Sequence, residues 1–211
     1  QLLTDLAGFG AAALPAGMNK AATAAAAIAQ TSAAIGTIQA TSQPAMNTGV
    51  AQGTLSYQLT QIAMMILGGV PSQTYTASLG GFDTHGAQAY NHFVQLGEVD
   101  KALQRFFGYI DGSPRAQDVF VLITSEFGRQ VKENSGGGTD HGRASTAVLV
   151  GGGVRGGRYG QMPSMTVRDF DALIPTVDFR ALFATILARL GGAALAKAAL
   201  GTKEDGSDFP D

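Results

Sequence analysis

Two short stretches of the sequence each place an aspartate beside a histidine, in a chain that contains only three histidines. Asp83 and His85 lie in "GGFDTHG", and Asp140 and His141 are adjacent in "GTDHG". Carboxylate oxygens combined with neutral imidazole nitrogens suit Zn²⁺, Mn²⁺ or a related divalent ion, and the flanking glycines let the backbone approach closely. The two stretches therefore predict a metal site.

Three more residues close to these stretches have chemistry that fits such a site. Glu126 and Arg129 follow the apolar run "VFVLITS", and Arg143 comes two positions after His141. Glu126 would add an oxygen ligand to the metal. Arg129 or Arg143 would bind the anionic oxygens of a substrate through paired N–H groups.

Each of these residues also has an ordinary explanation as part of a loop. An Asp-X-His stretch is commonly an Asx-turn or a helix cap, and Asp140 with His141 would form a tight turn between glycines. Glu126 and the two arginines would then be solvent-exposed loop residues. The third histidine, His92, is assigned no chemistry and is predicted at the edge of the core, because it lies one turn before Leu96 on an apolar helix face.

The order of the predicted elements favours the metal site over isolated turns. Apolar and β-branched runs predict strands at residues 74–79, 118–124 and 146–151. A crossover helix is predicted at residues 88–110, where one helical face carries Phe93, Leu96, Leu103, Phe107 and Ile110. Strands joined by such a crossover are parallel, which gives an α/β sandwich on a mainly parallel sheet. The three acid-bearing loops then fall at the strand ends, where such sheets bind ligands.

Two further helices and a division of the chain complete the predicted fold. The stretch "LSYQLTQIAMMILGG" has a helical apolar period and ends at a glycine pair, and "TVDFRALFATILARLGG" has Asp178 at its N-cap and Arg189 in its last turn. Residues 1–50 are rich in Ala, Gly, Thr and Gln and are predicted to be a helical segment or an insertion. Residues 51–211 are predicted to be the α/β domain.

Composition argues against several classes of function. Only 14% of the 211 residues are charged, the net charge is −2, and no basic cluster is present, so nucleic acid and anionic membranes are not expected partners. No segment reaches the roughly 18 apolar residues that a membrane span needs. The absence of cysteine excludes disulfide and thiolate chemistry. What remains is a globular protein whose unusual residues are the Asp–His pairs.

Five motifs, taken in order, carry a resemblance to a known family: "SLGGFDTHGAQ", "VFVLITSEFGRQVKEN", "GTDHG", "VLVGGGVRGGRYG" and "VDFRALFATIL". They resemble the sulfatase-like family catalogued as domain of unknown function 1501, over most of residues 55–190. That family is similar to the alkaline phosphatase superfamily, which hydrolyses phosphate and sulfate esters at a site with one or two metal ions. The resemblance implies a three-layer α/β sandwich of the alkaline phosphatase type, of which residues 51–211 would be the C-terminal portion.

The resemblance also implies a role for each site residue. Asp83 and His85 match the first ligand pair, Glu126 takes the position of a ligating aspartate, and His141 matches the last histidine. Phe127 stands where the superfamily has another metal-binding histidine. The family's nucleophile and first metal-binding aspartate belong to an N-terminal half that this sequence does not show. The start at Gln1 likewise predicts a processed or excised piece, with the missing half as a candidate second chain.

These observations define the expected function. The chain is expected to be part of a metal-dependent hydrolase acting on anionic phosphate or sulfate esters, with Zn, Mn, Mg or Ca as the divalent ion. The alternative is an exported binding or structural protein that keeps the fold without catalysis. Export of the family implies a periplasmic or extracellular location.

Three structural expectations follow. Asp83, His85, Glu126 and His141 should converge in one cleft, with Asp140 a ligand or a partner that orients His141. Because crowded carboxylates repel one another when no cation offsets them, the metal-free site should be looser or should show a raised carboxylate pKa. If an N-terminal half is missing, a sheet edge or an apolar face should be exposed.

Overall fold

The computed structural model describes residues 24, 26–38, 49–166, 168–169, 172–203 and 206–209. The chain divides into two compact units, one formed by Gln1–Gly80 with Val94–Val119 and the other by Gly81–Phe93 with Phe120–Asp211. Residues 24 and 26–38 are helical. The division of the chain at residue 50, with a helical segment or an insertion over residues 1–50, stays a prediction. The remainder of residues 1–50, apart from residues 49 and 50, lies outside the described residues.

The first unit contains helix α1 (Leu55–Leu67), as its apolar period predicts. The hydroxyl of Thr54 accepts a hydrogen bond from the Tyr57 N–H at 3.2 Å and so caps the first turn. The helix buries one apolar stripe, and Met64 packs with Ile38 and Val70 in a small core cluster. Burial of this stripe, rather than intrinsic propensity, is what stabilises a helix of 13 residues.

Helix α2 (Gln88–Ile110) forms over the predicted residues, but its predicted buried face is partly wrong. Ala102, Phe106 and Ile110 are buried, at the i, i+4 spacing of one helical stripe. Phe93 and Leu96 were expected on the packed face, yet they are 78% and 58% exposed. The apolar residues of this helix therefore lie on two faces, and only one of them is packed in the described part of the chain.

The predicted three-layer α/β sandwich with a mainly parallel sheet is wrong. Strands β1 (Phe120–Ile123) and β4 (Val148–Gly151) do form within two of the predicted runs, but they pair antiparallel, with Val121 opposite Val150. All strand pairs among the described residues are two-stranded and antiparallel. An alkaline phosphatase-like sheet is thus not present in this part of the chain.

The antiparallel pairing follows from what connects the strands. Between β1 and β4 the chain turns back on itself through the short strands β2 (Gly128–Arg129) and β3 (His141–Gly142), with no helix in between. A parallel pair needs a crossover, which is usually helical. Helix α2 precedes β1, and among the described residues no strand comes before that helix.

The predicted first strand, residues 74–79, is not a strand. The backbone N–H and C=O of Ser78 are both bonded to the side-chain amide of Gln58, at 3.0 and 2.9 Å. A glutamine on α1 therefore satisfies the backbone groups of Ser78, which a neighbouring strand would otherwise pair. The β-branched residues of this run predicted a strand, but strand formation also requires a partner.

The second unit ends in a pair of helices, α3 (Phe179–Gly191) and α4 (Ala193–Leu200). Gly192 separates them with φ of 80°, a conformation that favours glycine. Between Arg168 and Leu173 the strands β5 (Arg168–Asp169) and β6 (Ala172–Leu173) form a third antiparallel pair. The helix pair is held by a cluster of buried side chains, namely Ala184, Ala196 and Phe209.

Large apolar side chains are exposed among the described residues of this unit. Tyr159, Met162 and Phe179 are 74%, 84% and 69% exposed. Each described strand pairs along one edge only. No helix among the described residues is both long enough and apolar enough to cross a membrane.

The N-cap of α3 provides a first testable prediction. Oδ1 of Asp178 accepts from the Arg180 backbone N–H at 2.8 Å, and Oδ2 forms an ion pair with the Arg180 guanidinium at 2.6 Å. Asp178→Ala should lower the free energy of unfolding by about 0.5–2 kcal/mol, measured by denaturant titration, because it removes the cap. Asp178→Asn keeps a cap acceptor and loses only an exposed ion pair, so most of the stability should remain. Equal losses in both variants would show that the ion pair, not the cap, stabilises the helix.

Candidate metal centre

Two loops of the second unit are joined by a short ladder of backbone hydrogen bonds. We call residues 81–88 the first loop and residues 134–141 the glycine loop. Gly86 and Gly137 form a β-bridge, and the Thr139 N–H donates to the Thr84 carbonyl at 3.3 Å. The carbonyls of Gly136 and Gly137 also accept from the first N–H groups of the α2 region, at 3.2 and 3.0 Å. The ladder places the two Asp–His pairs side by side.

Close backbone approach explains the glycines on both sides of the site. A Cβ on Gly138 would overlap the backbone of Thr84 and His85. In the β2–β3 pair, a Cβ on Gly142 would overlap the backbone of Arg129, the residue that lies opposite His141. Glycine is therefore required where the loops meet.

The first loop is also tied to α2 by a buried side chain. Thr84 is 6% exposed, and its hydroxyl lies 3.0 Å from Nε2 of His92. His92 is half-buried, and its ring packs 5.7 Å from that of Phe82. Asp83 and His85, on either side of Thr84, are exposed. His92 thus anchors the loop and leaves the two flanking side chains available for chemistry.

Asp83, His85 and His141 come together at one point. Oδ1 of Asp83 lies 2.8 Å from Nε2 of His141 and 3.0 Å from Nε2 of His85. One ligand atom from each residue lies within 4.8 Å of the other two. The side chains are about half exposed, at 57%, 48% and 51% respectively. Two imidazoles and one carboxylate, from two loops, form a group that a divalent ion can occupy.

Asp140 contacts Nδ1 of His85, the ring nitrogen that faces away from Asp83. The sequence had predicted that Asp140 would be a ligand or would orient His141. Oδ1 of Asp140 lies 2.9 Å from Nδ1 of His85, and the same oxygen accepts from the Asn134 side-chain amide at 3.2 Å. A carboxylate on the far nitrogen of a histidine is the usual way in which proteins orient a metal-binding imidazole. Asp140 therefore has the geometry of a residue that orients His85.

The ring of His85 has a carboxylate oxygen beside each of its two nitrogens. A neutral imidazole has a single N–H, whereas His85 faces a carboxylate oxygen on each side. Both contacts are favourable only if the ring is doubly protonated, or if Nδ1–H donates to Asp140 while a cation lies beside Nε2. A divalent ion held by Nε2 of His85, Nε2 of His141 and Asp83 would satisfy all three groups. The donor set present therefore fits a divalent metal.

Arg129 lies beside this group but is occupied by protein acceptors. Its guanidinium donates to the carbonyls of Thr139 and Phe82, both at 2.6 Å, and to Oδ1 of Asp83 at 3.0 Å. Its side chain is 16% exposed. These bonds hold Asp83 in place and connect β2 to both loops. The role of Arg129 in binding a substrate anion stays a prediction.

The other predicted residues lie at the periphery or outside the group. Glu126 is exposed and does not belong to the three residues whose ligand atoms converge. Arg143 is exposed too, immediately after β3. Their roles as ligand and as anion-binding residue stay predictions.

Phe127, noted in the sequence only as a departure from a metal-binding histidine, stacks on the ring of His141 with a centroid distance of 4.0 Å and an interplanar angle of 16°. The stacking fixes the plane of that imidazole.

The electrostatics differ from the expected raised carboxylate pKa. The hydrogen bond from His141 lowers the pKa of Asp83, and His85 and Arg129 add to this effect. Hydrogen bonds from His85 and Asn134 lower the pKa of Asp140 in the same way. The nearest charged partners of each carboxylate are cationic or proton-donating groups, not the other carboxylate. Both groups are therefore kept ionised and ready to bind a cation.

These lowered pKa values predict an acid-sensitive stability of the metal-free protein. A carboxyl group whose folded pKa lies below its unfolded value of about 3.9 contributes stability above that value and loses it as the pH falls through the folded pKa. The stability difference between the wild type and Asp140→Asn should therefore shrink as the pH falls from about 5 to about 2. Thermal unfolding across this pH range measures it. A difference that stays constant with pH would contradict the role assigned to the Asp140 carboxylate.

Comparison with known proteins gives one match. The model of a family described as "Protein of unknown function (DUF1501)" matches residues 6–202, which include every residue of the candidate metal centre. No curated protein and no solved structure matches the chain. The chain belongs to the DUF1501 family of proteins of unknown function.

Proposed function

We propose that this protein binds a divalent transition-metal ion through Asp83, His85 and His141. The observation that carries the proposal is the convergence of one oxygen and two imidazole nitrogens within 4.8 Å. Residues that only form turns satisfy their polar groups locally and need not meet across loops. Here the two histidines are 56 positions apart in the chain and have ring centroids 5.0 Å apart.

The donor set favours some ions over others. Two imidazole nitrogens and one carboxylate oxygen are ligands typical of Zn²⁺, and Mn²⁺ accepts the same set, whereas Mg²⁺ and Ca²⁺ prefer oxygen ligands alone. Of the four ions considered from the sequence, we therefore propose Zn²⁺ or Mn²⁺. Three protein ligands are also the number that catalytic zinc sites use, with a further position left for substrate.

For the reaction, we propose hydrolysis of a phosphate or sulfate ester. The motif resemblance to sulfatases and to the alkaline phosphatase superfamily supports this choice, as does the exposure of all three ligands to incoming substrate. A bound divalent ion would supply Lewis-acid polarisation of an ester oxygen. Within the chain, Asp140 orients His85, Arg129 fixes Asp83, and Arg143 lies exposed immediately after β3. The same resemblance supports a periplasmic or extracellular location.

A second candidate is a metal-binding protein without catalysis, and specific contacts favour it. The two hydroxyl groups closest to the ligands in sequence are occupied, since that of Thr84 is paired with His92 and that of Thr139 donates to Gln88. Phe127 stacks on His141 where a second metal would need a histidine. Catalysis would then require a nucleophile supplied by water or by a second polypeptide.

One pair of measurements tests both proposals. Calorimetric titration with Zn²⁺, Mn²⁺, Mg²⁺ and Ca²⁺ should show binding of the first two in preference to the others. Hydrolysis of aryl phosphate and aryl sulfate esters should then depend on that metal and be absent in Asp83→Ala, which serves as the control for contaminating enzymes. Metal binding without hydrolysis supports the non-catalytic candidate. No binding of any of the four ions contradicts the metal centre itself.

A further inference from the structure

We propose that Asn134 is a positioning residue of the metal centre, which acts on His85 through Asp140. The inference rests on the proposed metal-binding function. The side-chain amide of Asn134 donates to Oδ1 of Asp140 at 3.2 Å, and that same oxygen lies 2.9 Å from Nδ1 of His85. Asn134 thus forms the third member of a chain that leads from the glycine loop to a metal ligand.

The orientation of the Asn134 amide is determined by the glycine loop. Its Oδ1 accepts from the backbone N–H groups of Gly136 and Gly138, at 2.9 and 3.1 Å. A rotated amide would place its NH₂ group against these two donors and its oxygen against the Asp140 carboxylate. Only one orientation therefore satisfies all partners, and it points the amide donor at Asp140.

The same residue is fixed in the loop through its backbone. Its N–H donates to the Gly138 carbonyl at 2.8 Å, and its carbonyl accepts from the Gly137 N–H at 3.3 Å. Asn134 is half-buried, whereas Asp140 is exposed. An exposed carboxylate samples several rotamers in water unless a fixed donor holds it. By holding Asp140, Asn134 keeps the His85 ring turned with Nε2 toward Asp83.

Two substitutions separate this role from a structural role in the loop. Asn134→Asp keeps an oxygen for the Gly136 and Gly138 N–H groups but places a carboxylate oxygen where the donor to Asp140 was. Asp140→Asn keeps a carbonyl acceptor for His85. The double variant completes the comparison, because in it the Asp140 carboxylate through which Asn134 acts is replaced by an amide whose carbonyl can still accept from His85. The net charge of the double variant equals that of the wild type.

The expected result is a non-additive loss of Zn²⁺ affinity. Asn134→Asp alone should weaken Zn²⁺ binding by about 10–100-fold, the usual cost of losing an outer partner of a metal ligand. In the Asp140→Asn background the same substitution should cause no further loss. Gln104→Glu is the matched control, because the Gln104 amide also donates to a carboxylate, that of Asp100 on α2 at 2.8 Å, and the charge change is the same. It should bind Zn²⁺ as the wild type does.

Thermal unfolding of the metal-free variants shows whether each is folded. If Asn134→Asp unfolds at a markedly lower temperature, the double variant tests the inference instead. A Zn²⁺ affinity of the double variant equal to that of Asp140→Asn supports the inference. Wild-type affinity in a folded Asn134→Asp variant, or a loss that adds fully to that of Asp140→Asn, would overturn it. Absence of Zn²⁺ binding in the wild type overturns the metal function and this inference together, so the two failures are distinct.

Discussion

Replacing His141 with alanine is expected to lower the Zn²⁺ affinity by more than about 100-fold, because loss of an outer partner alone costs about 10–100-fold and this change removes a ligand. The imidazole Nε2 lies 2.8 Å from the Asp83 oxygen and is one of the three converging ligand atoms. After the substitution only Asp83 and His85 remain. Two ligands from a single loop hold an ion much less well than three from two loops.

The fold should survive this change. The His141 side chain is 51% exposed, and besides the bond to Asp83 it would lose its ring contact with His85 and the stacking on Phe127 in the metal-free protein. An aromatic stacking contact is worth about 0.5–1.5 kcal/mol, which corresponds to a few degrees in the unfolding temperature of a chain of this size. Calorimetric Zn²⁺ titration and thermal unfolding with and without Zn²⁺ measure the two effects separately. Saturating metal should stabilise the wild type and leave His141→Ala almost unchanged.

The chain offers a matched control in its third histidine. His92→Gln removes an imidazole but keeps a polar group within reach of the Thr84 hydroxyl, which His92 contacts at 3.0 Å. This variant should bind Zn²⁺ like the wild type. If His141→Ala keeps wild-type affinity, then the contact between Asp83 and His141 is an ordinary ion pair and the ligand set is wrong.

Residue types alone pointed to the two loops of the candidate site, although the parallel sheet that was expected to bring them together is wrong. Paired Asp and His residues identified the two loops, because few other functions need these side chains together in a chain poor in charge. The expected cause of their convergence was a parallel sheet whose strand ends meet. The observed cause is a ladder between the first loop and the glycine loop, together with the pairing of Arg129 opposite His141.

Local patterns predicted the helices, whereas the sheet depends on contacts distant in sequence. Helices α1, α2 and α3 were predicted from periodicity and caps, which are properties of neighbouring residues. An apolar run such as residues 118–124 predicts a strand but carries no information on its partner or direction. The contacts of Phe127 with His141 and of Asn134 with Asp140 could not be predicted from the sequence either, because they depend on how the loop folds back.

Gly138→Ala is the second substitution for which we expect a large effect, on both stability and metal binding. A Cβ at this position would overlap backbone atoms of Thr84, His85 and Gly86, none of which can rotate away. The two loops would have to separate, with loss of the hydrogen bond from Thr139 N–H to the Thr84 carbonyl. Overpacking of this kind costs about 1–3 kcal/mol, measurable by denaturant titration of the metal-free protein.

The separation should also weaken Zn²⁺ binding, because the glycine loop carries His141 and the first loop carries His85. Metal–ligand distances tolerate only about 0.2 Å, so a shift of one loop relative to the other leaves a ligand out of reach. Gly108→Ala is the control, since this helical glycine has open space around its Cβ position and alanine there should stabilise α2 by about 0.5–1 kcal/mol. A Gly138→Ala variant with wild-type stability and affinity would mean that the loops do not touch. In that case the ladder that places Asp83 and His85 against His141 would be wrong, and the metal centre would lose its structural basis.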